Sequence, residues 1–347
     1  MTTHWALAGS LQPISGGNLY DQHIIEGLKQ TGHSIRCHEL EGCFIPPDSE
    51  AFTAAENLLM YIKSEPLVID GLALPAFAPM LASQRFDSPI IALVHHRLVH
   101  ETGLPEPIIQ QLDVLEREAL SHAEMILCTS PFTADDIQKN LKLTARPGII
   151  LPGVAFDTPR SRFRRRSKPL KMLSVGNIVP RKGYLELIEA LSDLHQYPWK
   201  LRIIGDTSRD PAYFHRLCAR IQRSRLNQRI HWIGIADKNV LRQAYRHADL
   251  FILPSRHEGY GMALAEATQC GLPIISTTAG AIPQTAPGGR LLPPGDIPAL
   301  RVALESLMKD QKELARMQRR AAHYQGRAPT WEEAVSHFAC AILNIGK

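Results

Sequence analysis

The stretch Phe251–Thr278, FILPSRHEGYGMALAEATQCGLPIISTT, restricts the fold more than any other part of the chain. An apolar run at Phe251–Leu253 leads into a glycine-bearing loop, and good helix formers follow from Met262 to Ala267. Gly271 and Pro273 stop that helix, and Ile274-Ile275 begin a second apolar run. The pattern is strand, loop, helix, strand. The loop Glu258-Gly259-Tyr260-Gly261 has two glycines, which let backbone come close to a ligand. It opens directly into a helix N-terminus, whose unpaired N–H groups at Gly261, Met262 and Ala263 suit an anion. Taken alone, Glu258 in the loop and Glu266 in the helix read equally well as solvated carboxylates.

The same alternation runs through the rest of the chain, in two series. The first begins with a strand at 5–9 (WALAG), a loop Ser10–Asn18 containing Ser15-Gly16-Gly17-Asn18, a helix Leu19–Thr31 stopped by Gly32, and a strand Ser34–Leu40. Strands at 66–70 and 89–94 follow, the second running into His95-His96-Arg97. A helix near 107–121, a strand near 124–129 and a helix starting at Ser130 complete the series. A polar, proline-bounded stretch at 157–169, DTPRSRFRRRSKP, has five arginines and reads as a linker. The second series follows it. It comprises a strand 171–175, the loop NIVPRKG with Arg181 and Lys182, a helix 184–194, a strand 200–205, a helix 211–224, a strand 230–233, a helix 239–247, a strand 250–253 and then the opening stretch. Helices from about Ile297, Gln311 and Trp331 end the chain.

With 347 residues the chain has room for two domains of roughly 150–200 residues each. This reading predicts an α/β protein with an N-terminal domain 1–157, a basic linker 158–169, a C-terminal domain 170–328, and a last helix 329–347 packing back on the N-terminal domain. A hydrophobic content of 44% with 21% charged residues fits an ordinary globular protein, and a net charge of +5 suits an anionic ligand while being too mild for a nucleic-acid binder. Six scattered cysteines without a C-x-x-C pair argue for reduced thiols. No secretory signal or long apolar run is visible, so the expected location is the cytoplasm, or the inner face of a membrane if the basic linker meets anionic lipid.

The ordered set VGNIVPRKG, LRIIGD, HWIG, ADLFILPSRHEGYGMALAEATQCGLPIIST and GGRLLPPGD resembles the retaining GT-B glycosyltransferases of family 4 (glycosyl transferases group 1 type). The likeness reaches the first half through Ser15-Gly16-Gly17 and Gly32-His33, and the end through the TWEEA segment at Thr330. It implies two Rossmann-like doubly wound domains facing across a cleft. A nucleotide-sugar donor would bind to the C-terminal domain and an acceptor to the N-terminal one. The residue types fit such a donor. A diphosphate gains charge as the glycosidic bond breaks and needs fixed cations and N–H donors; Arg181, Lys182 and the helix start at Gly261-Met262-Ala263 supply them. By resemblance, Glu258 with Gly259 and Tyr260 holds the donor sugar and Glu266 the ribose hydroxyls. His95 is then the active-site histidine, with His96 the alternative register, and Gly16, Gly17 and Asn18 form an acceptor or phosphate loop.

No D-x-D pair occurs in the sequence, so no metal is expected on the diphosphate and no cofactor is required. The resemblance further implies transfer of a hexose with retention, from UDP more than GDP, to a lipid, saccharide or small-molecule acceptor. The acceptor and the oligomeric state stay open. Base recognition is expected from backbone near Gly234-Ile235 and Pro254-Ser255. The alternatives are a sugar-nucleotide epimerase or hydrolase on the same fold, and a non-catalytic nucleotide-sugar-binding subunit. A dehydrogenase fits less well, because neither half carries G-x-G-x-x-G after its first strand.

Overall fold

The computed structural model describes residues 2–11, 15–83, 86–154 and 168–345. It divides into two units, Met1–Gly153 with Pro329–Lys347, and Val154–Ala328. Most of the basic linker, residues 158–167, lies outside the described residues.

The first unit runs β1 (Thr2–Ala8), α1 (Gly16–Gln30), β2 (Ser34–Leu40), α2 (Ser49–Tyr61), β3 (Leu67–Asp70), α3 (Leu74–Ser83), β4 (Ile90–Val94), α4 (Glu106–Ser121), β5 (Met125–Cys128), α5 (Pro131–Leu141) and β6 (Gly148–Ile149). Its six strands are parallel, in the order β2-β1-β3-β4-β5-β6. The order reverses between β1 and β3, and in open parallel sheets ligands bind beyond the carboxyl ends of strands at such a reversal. Helices cover both faces, so β3 and β4 are buried along their whole length and, apart from the terminal Asp70 of β3, apolar without alternation.

The second unit runs β7 (Leu170–Val175), α6 (Tyr184–Ser192), β8 (Trp199–Ile204), α7 (Pro211–Arg223), β9 (Ile230–Gly234), α8 (Lys238–His247), β10 (Leu250–Leu253), α9 (Met262–Gln269), β11 (Ile274–Thr277), α10 (Ile282–Thr285), β12 (Arg290–Leu292), α11 (Ile297–Lys309) and α12 (Gln311–Tyr324). Its sheet, β12-β11-β10-β7-β8-β9, is also parallel and six-stranded, with its reversal between β7 and β10. One continuous core of aliphatic and aromatic side chains, including Trp199, Tyr184 and Phe251, fills the unit.

The last helix, α13 (Trp331–Asn344), belongs to the first unit. A capping box between Thr330 and Glu333 starts it. It lies on α1, where Trp331 stacks on His23 with ring centres 4.2 Å apart, and its Phe338 stacks on Trp5 of β1 at 5.1 Å. The approach depends on Gly27, since a β-carbon there would lie 2.3 Å from a Val335 methyl group.

Three features depart from the sequence reading. The predicted loop residues Gly16, Gly17 and Asn18 form the first turn of α1, because the Ser15 hydroxyl accepts from the Asn18 N–H at 3.1 Å and caps the helix three residues early. Helices α2 and α3 occupy stretches to which periodicity assigned nothing. Asp48 caps α2 by accepting from Ala51 N at 2.9 Å, whereas α3 is apolar nearly all round and has Pro79 inside, so it shows no amphipathic stripe. The two- to four-residue elements β6, α10 and β12 are too short to leave a period.

Candidate active site

Adjacency of β7 and β10 brings the two loops that follow them together, and glycine lets them touch. Gly183 adopts φ +72°, and a β-carbon on it would lie 2.1 Å from the Pro254 carbonyl oxygen. The Arg256 N–H donates to the Arg181 carbonyl at 2.7 Å, and the Arg181 guanidinium donates to the His257 carbonyl at 3.0 Å. From the other side, Thr277 donates to Ser255 O and Thr285 to Tyr260 O, both at 2.6 Å, and the Ala281 N–H donates to Glu258 O at 2.9 Å. The 254–260 loop is therefore held along its length.

Glu258, Arg181 and Lys182 meet in this frame. Glu258 is 4% exposed. The Lys182 ammonium donates to its two carboxylate oxygens at 2.7 and 2.9 Å, the Ser255 hydroxyl donates at 2.6 Å, and an Arg181 nitrogen lies 3.6 Å away. Burial opposes ionisation of Glu258, but Lys182 and Arg181 outweigh it and hold the carboxyl below its ordinary range. The carboxylate is thus fixed in its acceptor form, able to take hydroxyl donors in a water-poor site.

Gly261, at φ +91°, starts α9, and no side chain caps that end. The N–H groups of the first turn, at Gly261, Met262 and Ala263, are those left over by helix geometry. Glu266, one turn further on, accepts from the Tyr245 hydroxyl at 2.7 Å. Burial pushes its carboxyl up to about 7, with Tyr245 acting in the opposite sense. Tyr260 is half-buried, and burial pushes its phenol up to about 12. The second unit therefore gathers Arg181, Lys182, Glu258, Gly259, Tyr260, the α9 start and Glu266 on the loop and helix that follow β10 and the loop that follows β7. Gly234 ends β9, and Ile235, which follows it, is 75% exposed.

In the first unit, His95 follows β4 and faces two carboxylates. Its Nε2 lies 3.2 Å from Asp21 Oδ1 on α1 and 3.3 Å from Asp70 Oδ1 at the end of β3. Burial alone would lower the His95 pKa, but Asp21 and then Asp70 raise it; burial raises that of Asp21. Gly17 covers the ring, and a β-carbon there would lie 3.1 Å from His95 Cδ2. His96 points elsewhere, pairing with Glu101 at 2.6 Å. The rest of this loop is pinned by Arg97, which binds Asp113 and the fully buried Glu116, and by His100, 2.9 Å from Asp136. Asn18 donates through its side chain to Ser10 O at 3.2 Å.

Asp21 and Asp70 were not among the candidate residues. Asp70 ends a strand at the side where such sheets bind ligands. Asp21 shares the buried face of α1 with Ile24, Ile25 and Leu28, at the i, i+3, i+4, i+7 spacing. A carboxylate on an apolar stripe is the signal that singles it out. Ser255 and Tyr245 leave no comparable trace.

Among the described residues, no helix is long and apolar enough to cross a membrane. Of the six cysteines, Cys128 and Cys270 are buried, Cys37 and Cys218 half-buried, and Cys43 and Cys340 exposed.

The chain is 26% identical over 285 residues to a D-inositol 3-phosphate glycosyltransferase from Streptomyces bingchenggensis, a match covering 74% of this chain and 61% of the relative. Another such enzyme, from Jonesia denitrificans, matches at 28% over 59% of this chain and 54% of its own length. The chain thus spans about six tenths or less of the length of these curated relatives. Among solved structures, the sucrose-phosphate synthase of Thermosynechococcus elongatus superposes with a TM-score of 0.78 at 17% identity, covering 98% of each chain. Anabaena HepE, solved with UDP and glucose, superposes at 0.74 and 17% identity, covering 99% of this chain and 100% of its own. The two parallel six-stranded sheets with alternating helices match the fold of GT-B glycosyltransferase structures. Residues 156–324 match the sequence model of a family described as Glycosyl transferases group 1.

Proposed function

We propose that the protein is a retaining glycosyltransferase that moves a hexose from a nucleoside diphosphate sugar, UDP in preference to GDP, to an acceptor held by the first unit. The observation that carries this reading is the convergence of Arg181 and Lys182 with Glu258 beside the uncapped start of α9. Two fixed cations and a helix N-terminus are what a departing diphosphate needs, so the growing charge is met by protein groups and no cation on the diphosphate is called for. Glu258, kept ionised, accepts the sugar hydroxyls, and Glu266 the ribose hydroxyls. Glu266 titrates near neutrality, and a diol that donates to it favours its charged form. The group 1 domain match and the UDP carried by HepE support the same donor class.

A thermal-shift panel of nucleotide sugars tests the donor, since a ligand that binds only the folded state raises Tm. UDP-hexoses are expected to give the largest shift. Incubation with the preferred donor and candidate acceptors, read by NMR at the anomeric carbon, is expected to give a product with the donor's configuration. Turnover of donor alone to its epimer or to free sugar would replace the transferase with the epimerase or hydrolase, and a flat panel would remove the donor assignment.

A further inference from the structure

The transfer reaction proposed above makes no use of Asp21 and Asp70, yet both are deeply buried and both face His95. Asp21 is 2% exposed and Asp70 8%. They come from the second turn of α1 and the last residue of β3, and His95 comes from the position after β4. The donor atoms Asp21 Oδ1, Asp70 Oδ1 and His95 Nε2 all lie within 4.8 Å of one another. Asp21 Oδ1 and His95 Nε2 lie 3.2 Å apart as an ion pair, yet both atoms are buried and neither completes a hydrogen bond. Buried polar atoms are nearly always satisfied, so two orphans at one point need a physical cause.

We infer that Asp21, Asp70 and His95 form a binding site for one divalent transition-metal ion. The first argument is dimensional. An ion about 2.1 Å from each donor sets donor–donor edges of about 3.0 Å in an octahedron and about 3.4 Å in a tetrahedron. The edges from Nε2, 3.2 and 3.3 Å, fall between these values. The second argument is charge. Two ionised carboxylates with one proton on the imidazole leave a net negative charge in a buried site, whereas a dication with neutral imidazole leaves none. The third is donor type, since one imidazole and two carboxylates suit Mn²⁺, Fe²⁺ or Zn²⁺ better than Mg²⁺ or Ca²⁺, which prefer all-oxygen sites. The neighbouring Tyr20 hydroxyl is committed to the Ile150 carbonyl at 3.2 Å and is not a further ligand. Three protein ligands leave coordination positions for water or a substrate oxygen.

This inference goes beyond the transfer reading. The groups assigned to the diphosphate belong to the second unit and the metal ligands to the first, and either can fail alone. The test therefore uses the metal-stripped full chain with no nucleotide sugar. Mn²⁺, Zn²⁺ and Mg²⁺ are titrated separately by calorimetry and by thermal melting. One Mn²⁺ or Zn²⁺ per chain is expected, with a rise in Tm of roughly 5–10 °C at about 100-fold excess over Kd and a much smaller rise with Mg²⁺. Asp70→Asn and His95→Gln, checked for folding by circular dichroism, are each expected to weaken binding more than about tenfold. A readout on the unmodified chain runs beside them: Zn²⁺ should shift the ¹⁵N resonance of His95 Nε2 to that of a metallated imidazole. Absence of a stoichiometric ion, binding by both variants as tight as that of the wild type, or a His95 Nε2 that stays protonated under saturating Zn²⁺ would overturn the inference and leave a shared proton at the triad.

Discussion

Replacing Lys182 by methionine tests the electrostatics of the second unit, because the side chain stays unbranched and nearly as long while its charge and its two donors to Glu258 are lost. Lys182 and Glu258 are 15% and 5% exposed at their side chains. Removing one partner of a buried ion pair costs about 3–5 kcal/mol, since the other charge stays buried. The Ser255 hydroxyl at 2.6 Å and Arg181 at 3.6 Å remain, which places the expected loss near the lower end, about 3 kcal/mol at pH 8. The pH dependence gives the sharper test. In the wild type the Glu258 pKa is held low, so its contribution is present above the unfolded pKa, about 4.3, and is lost as pH falls through the folded value. Without Lys182, burial becomes the dominant influence and raises the pKa. The acid form is then the stable one, and stability declines as pH rises through the raised value. The difference between wild type and Lys182→Met should therefore shrink to about half at pH 5, where Glu258 of the variant takes up a proton. Urea unfolding followed by circular dichroism at the two pH values measures it. Adding Glu258→Gln to the variant should recover part of the loss. A loss below about 1 kcal/mol at pH 8, the same loss at both pH values, or strict additivity in the double variant would refute the assignment of Lys182 as the ion that stabilises Glu258.

Two further outcomes follow from the same loops. Glu266, pushed up to about 7 by burial, contributes stability that is complete below its unfolded pKa and is lost as pH rises through the folded one. Glu266→Gln should thus raise Tm at pH 8 more than at pH 5 while weakening nucleotide binding; an equal Tm change at both pH values would contradict the shift. Gly183→Ala forces a β-carbon to within 2.1 Å of Pro254 O at a left-handed φ, and should cost about 2 kcal/mol or more together with most donor affinity, measured by melting and by donor titration. A variant that melts like wild type would show that the two loops need no glycine contact.

Much of the fold is readable in the residues. The apolar runs at Ile90–Val94 and Leu250–Phe251-Ile252-Leu253 are continuous because both faces of each sheet are covered, and they mark β4 and β10. Caps and stops fix other limits: Asp210 with Pro211 starts α7, and Thr330 with Glu333 starts α13. Where residue chemistry is ambiguous, so is the reading. Gly16-Gly17-Asn18 looks like a loop because glycine is a poor helix former, and the cap at Ser15 overrides that preference. Helix α3 is apolar nearly all round, its exposed Pro79 and Ala82 included, so composition erases the period that would reveal it.

The candidate site divides along the same line. The glycine loop before a helix marks the start of α9 locally, whereas Arg181-Lys182, Glu258 and Glu266 stand out in the sequence only through the ordered motifs that carry the family resemblance. That Lys182 reaches Glu258, 76 residues later in the chain, is decided only by tertiary structure, which sets β7 beside β10 and lets the two following loops meet. The same holds for Asp21, Asp70 and His95, which converge because β1 and β3 are neighbours and β4 lies next to β3. Periodicity reports which face of an element is buried. It carries no information on which strands become neighbours, because strand order is fixed by long-range packing of helices across the sheet, and the pairing of buried charges follows from that order.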